Sequence, residues 1–100
     1  MNTSKKQDNL NILRKIQKHP SLNQRKMAKD LNFSLGKLNY CLNELKKKGF
    51  IKIQNFKKNK SKIKYIYILT PKGISEKTKM TINFMQRKMK EYEELKKEIE

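Results

Sequence analysis

The sequence predicts a mainly α-helical (α+β) fold with one small β-hairpin and a long C-terminal helix. Three segments in the first half carry apolar residues at every third or fourth position, the spacing of an amphipathic helix. Two later segments alternate isoleucine or tyrosine with lysine, as strands packed on one face do. Residues 72–99 then return to helical spacing. We therefore expect helices to supply most of the structure.

The length and composition set the broad class of the protein. One hundred residues with 35% hydrophobic side chains suffice for one domain with a small core. Within it we separate a part formed by residues 1–70 from a C-terminal helix at 71–100. No stretch approaches the roughly 20 apolar residues of a membrane span, and residues 1–7 contain no apolar region of a signal peptide. We expect a cytoplasmic protein that does not bind membranes.

The charge is strongly positive and unevenly distributed. The net charge is +17, and residues 1–70 hold 18 basic and 3 acidic side chains, whereas residues 71–100 hold 8 and 6. Codon drift in an AT-rich genome is one explanation, because Lys, Asn and Ile supply 43 residues. Codon drift would, however, affect the charge of both parts of the chain alike. The first part is therefore expected to meet a polyanion such as nucleic acid.

The first two helices are expected to be joined closely to a third. The first is predicted at residues 8–18, with Asp8 capping its amino end. The second is predicted at residues 24–31, with Asn23 as its cap. Asn32 then interrupts the helix, because asparagine tolerates the left-handed backbone of a tight turn.

The third helix is predicted at residues 35–48, between a Ser34 cap and a left-handed exit at Gly49. Its buried stripe is expected to consist of Leu35, Leu38, Leu42 and Leu45. The opposite face is polar and basic, and carries Gly36, Lys37, Tyr40, Asn43 and Lys47. Cys41 lies beside the leucine stripe, where it is either a small core residue or a redox switch; we favour the core.

Two strands, at residues 50–56 and 63–69, are predicted to form a hairpin within a basic segment at residues 50–69. Tyr65 and Tyr67 share a strand face and are expected to pack. Between the strands the sequence places the lysines Lys57, Lys58, Lys60 and Lys62. These lysines either solvate the tip or contact phosphates, and the basic body favours phosphate contact.

The last helix, at residues 72–99, would be about 40 Å long at 1.5 Å per residue, which is long for so small a domain. One face carries a row of apolar residues, which we call the seam: Ile82, Met85, Met89, Tyr92, Leu95 and Ile99. Such spacing is typical of a helix that pairs with another helix. The alternative is packing back on its own domain, and we favour self-association. The last ten residues are acidic and are expected to point away from the anion.

Helix, helix, short turn, helix and basic hairpin is the order of a winged helix-turn-helix, in which the third helix enters the major groove. Residues 22–51, LNQRKMAKDLNFSLGKLNYCLNELKKKGFI, resemble the MarR-type signature, and LTPKG at residues 69–73 resembles that family's return into its dimerisation helix. More narrowly, SLGKLNYCLNELKKKGFIK, NFKKNKSK and QRKMKEYEELKKEIE resemble the short MarR-type regulators associated with exopolysaccharide gene clusters.

The resemblance implies a homodimeric regulator that binds double-stranded DNA. Full-size members are longer, dimerise through both chain ends and often hold a small phenolic effector. Counterparts of those additional helices do not occur in these 100 residues, so we expect dimerisation through residues 78–99 and doubt a small-molecule effector.

Within this arrangement, side-chain chemistry suggests which residues read DNA. Asparagine can pair with adenine and lysine with guanine in the major groove. We assign base contacts, from a recognition helix at about residues 34–48, to Lys37, Asn39, Tyr40 and Asn43. Backbone contacts are assigned to Arg25, Lys26, Ser34, Gly36 and Lys47. Two half-sites are expected about one helical turn, or 34 Å, apart.

Two other functions remain open from the sequence. One is a non-specific DNA- or RNA-binding protein of the nucleoid type, which would use the same basic face. The other is a protein-interaction adaptor that uses the C-terminal helix. We expect no enzyme, metal or cofactor, because His19 is isolated and the chain has neither a catalytic set of side chains nor a glycine-rich phosphate loop.

Overall fold

The computed structural model describes residues 3–59 and 62–100, with side chains over residues 5–55 and 65–100. Four helices and a two-stranded antiparallel hairpin follow in the predicted order, so the fold class is confirmed. The elements are α1 (Thr3–Lys18), α2 (Gln24–Leu31), α3 (Leu35–Lys47), β1 (Ile51–Asn59), β2 (Lys62–Leu69) and α4 (Pro71–Glu98).

The core lies between α1, α2 and α3 and is closed by the base of the hairpin. Full burial of a large apolar side chain stabilises a fold by about 1.5–3 kcal/mol. The largest side chains buried in this way are Ile12, Leu13, Ile16, Met27, Leu38 and Leu45. Ile51, Tyr67 and Leu69 cover the core from the hairpin. Because all three helices contribute, none of them buries its apolar face alone.

Helix α1 begins earlier than predicted. It is helical from Thr3, so Asp8 lies inside the helix and does not cap it. The carboxylate of Asp8 instead lies 2.9 Å from Nζ of Lys37 on α3. The apolar spacing starts only at Leu10, which is buried together with its polar neighbour Asn9 where α1 meets the core. Periodicity therefore locates the packed part of this helix and misses the polar turns before it.

The junction of α2 and α3 has the predicted local geometry. Oδ1 of Asn23 accepts a hydrogen bond from the Lys26 amide at 2.8 Å, which caps α2. Asn32 adopts φ 59°, in the left-handed region, and ends that helix. Oγ of Ser34 accepts from the Lys37 amide at 3.0 Å and caps α3. Only two residues, Asn32 and Phe33, therefore lie between the end of α2 at Leu31 and the cap of α3 at Ser34.

The hairpin strands are longer than predicted. Ile51 pairs with Leu69 at the base, and the ladder continues to Asn59 opposite Lys62, with an irregularity between Lys57 and Asn59. Main-chain pairing does not depend on side-chain polarity, so lysine-rich sequence can continue a ladder. Lys57 and Lys58 are therefore strand residues, and the prediction of a longer loop was wrong.

Two tyrosines on the same strand face differ in burial because they lie at different distances from the core. Tyr67 is 8% exposed, its amide donates to the Pro20 carbonyl at 3.3 Å, and its hydroxyl accepts from Nε2 of Gln24. Tyr65, two pairs further from the base, is 60% exposed. The prediction that both pack was therefore wrong for Tyr65, because the core ends below it.

Helix α4 starts on the domain and then leaves it. Oγ1 of Thr70 accepts from the Gly73 amide at 3.0 Å, and Pro71 occupies the first turn. Gly73 is buried, and a Cβ there would lie 1.9 Å from the Phe50 carbonyl oxygen, so only glycine fits. The first half of α4 packs mainly against α1. The second half is exposed, which gives the molecule a length of 65 Å.

Candidate nucleic-acid interface

Helix α3 presents one buried and one exposed face. Leu38, Cys41, Leu42 and Leu45 are buried. At 100° per residue, four other residues of α3 lie within about 30° of the direction opposite to these buried side chains and form a stripe. We call this the recognition stripe; its members are Gly36, Tyr40, Asn43 and Lys47, all exposed. Lys37 and Asn39 are exposed on either side of it.

Leu35 departs from the predicted leucine stripe. Its side chain is 40% exposed, whereas Leu38 is fully buried. The helical angle of Leu35 lies near the edge of the apolar sector, and its position in the first turn places it at the end of the core. The prediction of its burial was therefore wrong.

The side chain of Lys37, which we assigned to a contact with guanine, makes two contacts within the protein. Its Nζ lies 2.9 Å from the Asp8 carboxylate and 4.2 Å from the centre of the Phe33 ring. The side chain is still 47% exposed. Lys37 therefore has to leave Asp8 in order to reach a base, and this pairing could not be found from local periodicity.

Tyr40 is the large exposed aromatic residue of the recognition stripe, with 58% of its surface accessible. Nζ of Lys5, in the early turns of α1, lies 6.0 Å from the centre of its ring. The extension of α1 thus adds a cation next to the stripe. The sequence assignment missed Lys5 because those turns were not predicted to be helical.

Gly36 has no internal structural reason to be glycine. A Cβ at this position would meet no atom within 4 Å, and its backbone is not left-handed. Glycine inside a helix costs about 0.5–1 kcal/mol relative to alanine. Its place in the first turn, next to the Ser34 cap, leaves the helix backbone open to an approaching molecule.

A shared carboxylate organises the amino-terminal part of the interface. Asp30 lies 2.9 Å from Nζ of Lys26 and 3.0 Å from Nζ of Lys15 on α1. Hydrogen bonds from Lys26 and then Lys15 lower the pKa of this carboxyl below its ordinary value. Two cations against one anion leave a net positive charge here. Lys26 and its neighbour Arg25 remain exposed at the start of α2.

Of the remaining residues assigned to DNA contacts, the structure describes some and not others. Ser34 acts as the cap of α3, with its hydroxyl engaged by the Lys37 amide. Lys60 lies outside the described residues, and so do the side chains of Lys57, Lys58 and Lys62. Their assignment to phosphate contact stays a prediction.

A groove of about 840 Å³ separates α1 from α4 on another side of the domain. Its apolar lining includes Leu10, Phe50 and Met80. Five cationic side chains and one carboxylate surround it, namely Lys6, Lys48, Lys79, Arg87, Lys90 and Glu76. This groove combines an apolar floor with positive charge, a property that the sequence did not predict.

Cys41 belongs to the core. It is 6% exposed, and burial raises the pKa of its thiol. A redox-sensitive cysteine requires access and an easily formed thiolate. The structure therefore supports the interpretation of Cys41 as a small core residue.

All six seam residues of α4 are exposed, from 49% at Ile82 to 86% at Ile99. The alternative that this row packs back on its own domain therefore does not apply. The part of α4 that does pack on the domain uses other residues, among them the backbone of Gly73 and the side chain of Met80.

The fold defined by these elements is a winged helix-turn-helix. Residues 9–52 match a family model described as winged helix-turn-helix DNA-binding. No match was found among curated protein sequences. Among the described helices, none contains an apolar segment of the length needed to cross a bilayer.

Solved structures of MarR-type regulators share the fold. A MarR family transcription regulator superposes with a TM-score of 0.71 at 19% identity, covering 86% of this chain and 56% of its own. Staphylococcus aureus MarR in complex with salicylate and kanamycin gives 0.67 at 19% identity, with the same two coverages. A mutant of S. aureus MepR bound to an oligodeoxyribonucleotide gives 0.66 at 20%, covering 92% and 72%.

These structural similarities establish the fold, and they do not support one expectation drawn from the sequence. The chain spans a little more than half the length of the first two structures. Because one of them is a complex with salicylate, our expectation against a small-molecule effector is not supported by the comparisons. None of the three is described by an exopolysaccharide function.

Proposed function

We propose that this protein is a sequence-specific, double-stranded DNA-binding transcriptional regulator that acts as a homodimer. The observation that carries the proposal is the recognition stripe of α3, which is exposed and opposite to the buried leucines. It lies in a part of the chain with a net charge of +15. A helix of this kind, held by a preceding helix and a tight turn, is the element that other helix-turn-helix proteins insert into the major groove.

The stripe has the side chains that direct base reading requires. Asn43, with Asn39 beside the stripe, offers both a donor and an acceptor and can pair with adenine. Tyr40 presents a ring face and a hydroxyl between them. Lys37 can donate to guanine once it exchanges the Asp8 carboxylate for the base, and an exposed ion pair of this kind is weak. Specificity therefore comes from about two turns of one helix.

The backbone contacts are proposed from charge and helix ends. Arg25 and Lys26 lie in the first turn of α2, where the helix dipole favours anions. Gly36 and the Ser34 cap leave the start of α3 open, while Lys47 extends the stripe at its other end. The hairpin lysines are proposed to follow the backbone or the minor groove beside the site.

The competing function is binding of nucleic acid without sequence preference. Lys and Arg contacts to phosphate would supply affinity to either function, since counterion release does not depend on sequence. What favours the specific regulator is the presence of two asparagines and a tyrosine on the face where a phosphate-binding helix would need only cations. The adaptor alternative uses α4 alone and leaves this face without a role.

The first experiment is binding selection from a random duplex pool at about 150 mM salt, where non-specific binding is weak. We expect an enriched inverted repeat, bound at least about a thousandfold more tightly than a scrambled duplex. Absence of any enriched motif would contradict the proposal. The resemblance to regulators associated with exopolysaccharide gene clusters suggests promoters of such clusters as the first natural duplexes.

Variants of the stripe test the assignment of its residues. Tyr40→Ala and Asn43→Ala are each expected to relax preference at one base position by about 5- to 150-fold, because a good base contact contributes about 1–3 kcal/mol of discrimination. Asn83→Ala is the matched control, since Asn83 is exposed on α4. Repeating the selection with each variant is the measurement. An unchanged motif with Asn43→Ala would remove that residue from base reading.

A further inference from the structure

Most of the exposed seam points away from the rest of the domain; Met85, at its edge, also lines a small cavity with Leu10 and Arg14 of α1. At 100° per residue, the centre of the seam lies about 130° around α4 from the face that packs on α1. Its first four side chains, Ile82, Met85, Met89 and Tyr92, are each about half exposed or more, between 49% and 64%. A continuous apolar row of this size on a polar chain marks an interaction surface.

The charge along the same segment changes sign in its middle. Residues 81–90 contain Arg87, Lys88 and Lys90 and no acidic residue, a net charge of +3. Residues 91–100 contain five glutamates and two lysines, a net charge of −3. The two halves of the exposed segment are thus equal in length and opposite in charge, so the segment is complementary to a reversed copy of itself.

From the seam and this charge reversal, we infer that a second copy of the chain docks on α4 in the antiparallel direction. The inference rests on the homodimer of the proposed function and specifies its geometry. Ile82 then lies opposite the partner's Ile99, Met85 opposite the partner's Lys96 and Met89 opposite the partner's Tyr92. Residues 81–90 of each copy meet residues 91–100 of the other, so a segment of net charge +3 lies beside a segment of net charge −3 twice. Lys88, whose Nζ lies 3.4 Å from the carboxylate of Glu91 in its own chain, is the cation of residues 81–90 nearest the seam, whereas Arg87 and Lys90 line the groove.

The parallel arrangement lacks these advantages. It would place Lys96, beside the seam, next to Lys96 of the other copy and bring the five glutamates of both tails together. It would also hold two domain parts of net charge +15 side by side. In the antiparallel pair, the amino ends of the two α4 helices lie about 60 Å apart at 1.5 Å per residue. That separation exceeds the screening length of about 8 Å at physiological salt several times over.

Cysteine cross-linking distinguishes the two directions. In a Cys41→Ala background, Ile82→Cys and Ile99→Cys are prepared as separate proteins, mixed and oxidised without DNA. A disulfide forms only when the two Cα atoms approach within about 7 Å. We expect the mixed 82–99 product as the dominant covalent dimer, and little product from either protein alone. Ile82 and Ile99 are exposed positions outside the core. Cys41→Ala shortens one buried side chain, and because both proteins carry it, its cost is common to every product compared.

Two results would overturn the inference. Efficient 82–82 and 99–99 products would show a parallel pair, and a monomer mass by light scattering without cross-linking would show that no second copy docks. Titration of the reduced variants with the selected duplex separates this inference from the proposed function. Cross-linking without specific DNA binding would contradict the regulator and retain the antiparallel pair, whereas DNA binding with 82–82 products would do the opposite.

Discussion

At the scale of single residues, two glycines in comparable helical positions have different roles. Gly36 and Gly73 both lie near the start of a helix, in α3 and α4. A Cβ at Gly36 meets open space, whereas one at Gly73 would overlap the Phe50 carbonyl. The fold therefore requires glycine at position 73 and not at position 36, which points to an external reason at the latter.

Gly36→Ala tests that reason. We expect the free energy of unfolding to rise by about 0.5–1 kcal/mol, because alanine is the better helix former. We also expect DNA affinity to fall for all duplexes, because the new methyl group separates the helix from the DNA backbone. Denaturant titration and duplex titration measure the two effects. Gly73→Ala is the comparison and should lower stability; unchanged DNA affinity of Gly36→Ala would contradict the backbone contact.

At the scale of elements, ion pairs connect helices that the sequence shows only one at a time. Asp8 joins α1 to α3 through Lys37, and Asp30 joins α2 to α1 through Lys15. Lys26, on the same helix as Asp30, shares its carboxylate. Because these pairs are partly exposed, they orient the helices more than they stabilise them.

The shared carboxylate makes the α1–α2 junction sensitive to acid. The pKa of Asp30 is lowered in the folded state by Lys26 and Lys15, so the ionised form stabilises the fold above the unfolded value of about 3.9. This contribution is lost as the pH falls through the lower folded pKa. Asp30→Asn is therefore expected to flatten the decline of Tm between about pH 5 and pH 2.

Thermal unfolding across that range measures the effect, with Glu100→Gln as a control at the exposed chain end. The control should leave the shape of the curve unchanged. An acid decline in Asp30→Asn as steep as in the unmodified protein would show that the two lysines do not hold this carboxylate in solution.

At the scale of the whole molecule, charge is separated along the long axis. The domain part carries a net charge of +15, and the free end of α4 carries −3. Under the proposed function, this separation would direct DNA to the domain end and leave the acidic end away from DNA or against a basic segment of another copy. The 65 Å length of the molecule keeps the two ends apart.

The salt dependence of binding tests the contribution of the hairpin to this charge. Each phosphate contact contributes about 0.9 to the slope of log affinity against log salt. Lys58→Ala with Lys60→Ala is expected to weaken all duplexes alike and to reduce the slope by up to about twice that amount. Lys77→Ala with Lys79→Ala, on α4, is the matched control. An unaltered slope in the hairpin variant would count against its contact with DNA.

The sequence by itself determined the elements of this protein and the two faces of α3. The caps Asn23, Ser34 and the left-handed Asn32 act within a few residues, and the buried leucines follow helical spacing, so both can be derived from neighbouring positions. The periodicity also located the seam, although it left open whether the seam packs back on its own domain; the structure shows the seam exposed. These features depend on local backbone geometry and on the spacing of apolar side chains along one element.

Only the tertiary structure decided which side chains from different elements meet. The engagement of Lys37 by Asp8, the closeness of Lys5 to Tyr40 and the groove between α1 and α4 all join residues far apart in the chain. The exposure of Leu35 and Tyr65 depends on where the core ends. Periodicity describes the direction of a side chain from its own helix or strand; what lies in that direction is fixed by how the elements pack.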